Sequence, residues 1–114
     1  MASPELTLPV VLSPTAIDEL HGVWLWNAEH YSPCHADEYV RFLKASIDEL
    51  ARLNLRGKTV SGRPDLRYII IRRKPKGHGH LAVYHVDGKA VNVLHVFHSA
   101  QDWQAKLAGV DPNQ

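Results

Sequence analysis

Cysteine is almost missing from this 114-residue chain: Cys34 stands alone, so no disulfide can close within the molecule. Long apolar runs are missing as well. The longest extend over only a few residues, far short of the roughly 20 that a membrane-spanning helix needs. No basic-then-apolar leader opens the sequence, so secretion has no support and a reducing cytoplasm is the expected location. Internal repeats and low-complexity tracts are also lacking. What remains suits one compact domain. With 45% apolar and 22% charged residues, the chain is expected to form a single domain over residues 1–114, with its core at about 6–107.

The net charge of +1 hides an uneven distribution. From Met1 to Ala51, eight acids face only Arg41 and Lys44, whereas from Arg52 to Lys76 nine bases face Asp65 alone. A segment of this kind either draws in a polyanion or acidic partner, or forms a solvated loop and edge strand whose cations discourage edge-to-edge pairing.

Leu6 to Leu12 is a short apolar run, which Pro9 restricts to an edge position or a bulge. Ser13-Pro14 then supplies an N-cap and a first-turn proline, with Thr15 and Asp18 as a second possible capping box. Ile17, Leu20, Trp24 and Ala28 recur at helical spacing, predicting a helix from about Pro14 to Tyr31. Ser32-Pro33 repeats the start signal, and Val40, Leu43, Ile47, Leu50 and Leu53 mark a second helix. So short a connection implies an antiparallel helical hairpin. Strands are predicted at Tyr68 to Ile71, Leu81 to Val86 and Ala90 to Phe97. Asp87-Gly88 between the last two favours a two-residue type I′ turn, which would place Val86 opposite Lys89, Tyr84 opposite Val91 and His80 opposite His95. A short helix is expected from about Ser99 to Leu107. The predicted fold is α+β: an N-terminal strand, an antiparallel two-helix hairpin packed on one face of a mainly antiparallel sheet of three to four strands, and a short C-terminal helix.

This order of elements, with particular residues in it, resembles the RelE/ParE toxin superfamily, and within it the ParE-like plasmid stabilisation toxins. The resemblance runs from about residue 6 to residue 105. It begins at Leu12-Ser13-Pro14, with Ala16, Asp18 and Leu20 following, and continues through Val23-Trp24-Leu25-Trp26, Tyr31, Ala36-Asp37 and Tyr39 to Leu43. Gly62-Arg63-Pro64 resembles the family's Gly-Arg turn before the sheet. The ending is most similar, with Val83 to Gly88 and Val91 to Val96 leading to His98 and Asp102. His85 and His95 stand where the family usually carries arginine.

The resemblance implies the toxin of a type II toxin-antitoxin system, with a ParD-like or similar antitoxin as partner and operator DNA reached only through it. DNA gyrase is the implied target of a ParE-like toxin; ribosome-dependent mRNA cleavage is the RelE-like alternative, and a diverged, non-toxic binding module is a third reading. On this view Arg63, Arg67, Arg72, Arg73, Lys74 and Lys76 form the target-binding set, and Trp24, Trp26 and Trp103 the antitoxin anchors. Each tryptophan equally suits a core position.

Cleavage without a metal needs a base for the 2′-hydroxyl, a cation for the phosphorane and an acid for the leaving oxygen. His78, His80, His85, His95 and His98 lie near Arg67, Arg72, Arg73 and Tyr84 in the sequence, and Arg73, His95 and His98 are the candidate catalytic residues. A histidine in an alternating strand is more often a half-buried, hydrogen-bonded structural residue, and binding is favoured over catalysis. His78-x-His80 hints at zinc, yet neither Cys34 nor a carboxylate other than Asp87 accompanies the strands, so no metal and no cofactor are expected. Only Tyr68 interleaves the basic segment, which offers no stacking platform for single strands.

Overall fold

Both serine-proline pairs start helices as expected. In the computed structural model, which describes residues 7–74 and 79–107, Ser13 caps α1 (Pro14–His30) by accepting from the Ala16 N–H at 3.0 Å. Ser32 caps α2 (Pro33–Asp48) by accepting from the His35 N–H at 3.0 Å. Proline fills the first helical position of each, where a missing N–H has no consequence. Only Tyr31 and Ser32 separate the two helices, so they return on each other as a hairpin. A 3-10 turn at Glu49–Ala51 ends the second helix before Leu53. The apolar stripe reaches the core through Leu20, Leu43, Ile47 and Leu50, all buried.

The sheet has five strands, β1 (Val10–Leu12), β2 (Lys58–Val60), β3 (Arg63–Ile71), β4 (His80–Val86) and β5 (Val91–His98), in the order β1-β5-β4-β3-β2. Only the β1–β5 pair is parallel. The extra strand beyond the expected three to four is Lys58–Val60, a polar three-residue edge with no apolar alternation to betray it. It pairs with a β3 that starts at Arg63 rather than Tyr68. Ser61 and Gly62 turn between them, and Gly62 has a φ of +79°, a conformation that glycine adopts without strain.

The β4–β5 hairpin departs from the expected register. Asp87 to Ala90 form a four-residue loop in which the Asp87 carboxylate accepts from the Lys89 and Ala90 N–H groups, each at 2.9 Å. Those bonds hold its carboxyl below the usual carboxylate range and close the turn without a type I′ geometry. Val86 therefore faces Val91, and a bulge between the Val83–His95 and Tyr84–Val93 pairs moves the register again. His80 meets His98, not His95.

One face of the sheet, including Ile69, Ile71, Ala82, Tyr84, Val91 and Val93, packs against the helical hairpin. The opposite face carries Leu66, Leu81, Val83 and Phe97. The C-terminal helix, α3 (Trp103–Leu107), lays Trp103 and Leu107 on this second face, so helices cover both faces rather than one. It is shorter than expected because the residues after His98 first make a turn, with the Gln101 N–H donating to the His98 carbonyl at 3.1 Å. Among the described residues, no helix is long and apolar enough to cross a membrane.

Candidate functional site

The sheet is five strands wide at one end and three at the other. β1 pairs with β5 only as far as Val93, and β2 pairs with β3 no further than Tyr68. Beyond those points the row Ile71, His80, His98 crosses a sheet of β3, β4 and β5 alone. The exposed edge of β5 is blunted by side chains. Ser13 Oγ donates to the Leu94 carbonyl at 2.9 Å, and Glu19 Oε1 accepts from the Val96 N–H at 2.8 Å. Gln101 Oε1 accepts from the His98 N–H at 2.7 Å. Such capping leaves little backbone for another strand to pair with.

At this end a cleft of about 1210 Å³ opens between the helical hairpin, the ends of β3 to β5 and α3. Tyr39 and His80 Nδ1 share a hydrogen bond of 2.7 Å inside it, and the His80 ring meets the edge of His98 at 5.0 Å between centroids. Burial, assisted by His98, pushes the His80 imidazole down from 6.5 to about 4. Burial also raises the Tyr39 hydroxyl, with Arg73 opposing it. The pair is therefore neutral at pH 7. Glu19 holds His95 Nδ1 at 3.2 Å, and His98 Nδ1 accepts from the Ala100 N–H at 3.1 Å.

All three candidate catalytic residues, Arg73, His95 and His98, line this cleft, and Lys74 and Trp26 join them. Lys76 and His78 lie outside the described residues. The rest of the basic segment is divided. Arg63 pairs with Asp65 at 3.2 Å, and Arg67 donates to the Gly57 carbonyl at 2.8 Å, so both serve the five-stranded end. The length of β3 separates Arg63 from Arg72 by about 30 Å at the usual rise per residue. Arg72 borders a separate groove of about 440 Å³ with Arg56 and Lys58. His85 is also remote from the cleft, with Nδ1 on the Asp65 carbonyl at 3.0 Å.

The tryptophans occupy three different places. Trp24 donates its indole N–H to Asp37 at 2.7 Å, and Trp103 packs on Tyr68 with centroids 4.8 Å apart. Trp26 is 52% exposed at the cleft. There it belongs to an aromatic row that the sequence reading missed. Trp26 stacks on His30 at 4.0 Å and meets Tyr31 edge-on at 6.0 Å, and Tyr31 in turn lies on His35 at 4.5 Å. The signal was present in the spacing, since Trp26/His30 and Tyr31/His35 are both four residues apart. The expected His80/His95 pairing does not form, and no group of three or more histidine, cysteine or acidic residues among those described could hold a metal ion.

Comparison with known proteins places this architecture. A chain from the solved chromosomal ParDE TA system of P. aeruginosa superposes with a TM-score of 0.70 over 82% of this chain and 98% of that one. Its sequence is 18% identical, so the likeness is one of fold. No curated protein matches in sequence. The family model described as "ParE toxin of type II toxin-antitoxin system, parDE" matches residues 10–103, from the first strand of the sheet to the first residue of the last helix. The chain belongs to the ParE toxin family.

Proposed function

We propose that this type II toxin arrests growth in the cytoplasm by binding DNA gyrase, and that it does so without cutting RNA. The carrying observation is how the imidazoles are used. His80 is neutral against Tyr39, His95 is held by Glu19, and His98 receives a backbone N–H. These bonds tie one ring nitrogen of each imidazole into the fold, the use expected of histidines that organise the sheet end. Binding then falls to the exposed Arg72, Arg73 and Lys74, which can meet an acidic surface of the target. The family implies a cognate antitoxin as partner, and Trp26 is the tryptophan whose exposure best suits contact with it. Operator DNA is reached through that antitoxin.

One observation favours the RelE-like reading: Arg73, His80 and His98 share a single cleft. Induction in growing cells, followed by a supercoiling assay with purified gyrase and by mapping of mRNA ends, separates the two. Growth arrest with lost supercoiling and intact mRNA is expected. Arrest with active gyrase and mRNA cut at ribosomes would replace this reading with nuclease action.

A further inference from the structure

The aromatic row and the basic end of β3 are distant in sequence but open onto the same cleft, and the function proposed above uses them only in part. Trp26, Tyr31 and His35 come from the helical hairpin, whereas Arg73 and Lys74 follow β3. Lys106 adds a third cation from α3. Glu19 is the one acid in the lining among the described residues, and its carboxylate is already taken up by the Val96 N–H and His95. The cleft thus combines cations from the end of β3 and from α3 with aromatic rings from the helical hairpin.

The aromatic rings have a particular arrangement. His30 covers one face of Trp26, with the rings only 14° from parallel, and Trp26 lines the cleft whereas His30 does not. The indole therefore offers its remaining surface to the cavity. Tyr31, 64% exposed, stands across the edge of the indole and borders that surface. A planar ring placed there would extend an existing stack, and stacking of one base on an aromatic side chain contributes about 1–3 kcal/mol. Arginine and lysine bind phosphate oxygens through charge-assisted hydrogen bonds. The cleft, at about 1210 Å³, exceeds the roughly 300–1,000 Å³ of ordinary small-molecule sites.

We infer that this cleft is a binding site for a phosphorylated nucleoside, with the base stacked on Trp26 and bordered by Tyr31, and the phosphate on Arg73 and Lys74. The ligand is either a free nucleotide or the end of an unpaired nucleic-acid strand, since both present the same base and phosphate. Binding alone is assigned, with no bond made or broken. The inference stands apart from the gyrase reading, because it concerns a small ligand in solution and is measured without gyrase.

Titration of the purified full-length chain with adenosine 5′-monophosphate, adenosine or inorganic phosphate, followed by amide NMR shifts, tests it. The nucleotide should saturate, with shifts centred on Trp26, Tyr31 and the Arg73 to Lys74 segment, and adenosine or phosphate alone should bind about ten-fold more weakly or worse. Trp26→Ala should weaken the nucleotide about ten-fold and leave inorganic phosphate unchanged. Arg73→Ala with Lys74→Ala should weaken both, which keeps the site testable should the tryptophan variant fail to fold. A 5′-phosphorylated single-stranded tetranucleotide separates the sources. Tighter binding with a steeper salt dependence assigns a strand, and equal binding assigns the free nucleotide. No saturation up to about 10 mM nucleotide, or binding untouched by either variant, overturns the inference.

Discussion

The two ends of the sheet are built from similar residues and used differently. At the five-stranded end, cations and ring groups are tied into the frame. The Gly57 N–H donates to the wholly buried Tyr84 hydroxyl at 2.8 Å, the Gly57 carbonyl accepts from Arg67, and Arg63 is paired with Asp65. At the three-stranded end, Arg73, Lys74 and the strand histidines His80, His95 and His98 border an open cleft, with His35 facing them from the helical hairpin. Missing strands make the difference: where β1 and β2 stop, side chains replace backbone partners and room is left for a ligand. A basic segment that reads as continuous in the sequence is therefore half scaffold and half surface.

The largest loss is expected at Gly57, in the five-stranded end. A Cβ there would lie 2.6 Å from the Tyr84 hydroxyl oxygen and 2.7 Å from the Tyr68 carbonyl. Gly57→Ala should cost about 2–3 kcal/mol in urea unfolding, because backbone and a buried ring must both move. Tyr84→Phe removes only the acceptor and leaves the Gly57 N–H buried and unpaired. A loss of about 1–3 kcal/mol is expected, and an unchanged midpoint would show that water replaces the hydroxyl.

At the other end the effects should be smaller. Glu19→Ala strips the Val96 N–H and His95 of their partner and should lower stability by about 1 kcal/mol by the same measurement. The pH dependence has a definite sign. His80 titrates near 4 in the folded chain against 6.5 ordinarily, so the unfolded state binds the extra proton. Its contribution is complete above pH 6.5 and is lost as pH falls towards 4. Unfolding midpoints measured from pH 7 down to pH 4 should fall, and His80→Gln should flatten that fall. Smallest of all, Arg73→Ala with Lys74→Ala should change stability by no more than about 0.5 kcal/mol, since both residues are exposed.

Much of the frame was legible because its signals are local. Ser13-Pro14 and Ser32-Pro33 carry their own capping chemistry, and the stripe from Leu43 to Leu50 needs only helical spacing to be seen. β2 was hidden because Lys58-Thr59-Val60 is polar and short, and its pairing depends on β3. The hairpin register was misread because Asp87 acts through its carboxylate, which the Asp-Gly dipeptide does not disclose. The cleft was legible only in fragments. Arg73, His95 and His98 were picked out by residue type, whereas Tyr39, which meets His80 across 41 positions of sequence, depends on the fold. The same holds for Trp26 and Arg73 on one cavity.

The claim that the three-stranded end is the working end is tested most directly by titrating gyrase supercoiling with wild-type toxin, Arg73→Ala with Lys74→Ala, and Lys89→Ala, which removes an exposed cation at the opposite end. The account predicts that the double variant needs about ten-fold more protein for the same inhibition, while Lys89→Ala matches the wild type. Equal inhibition by all three, or a loss confined to Lys89→Ala, would contradict it.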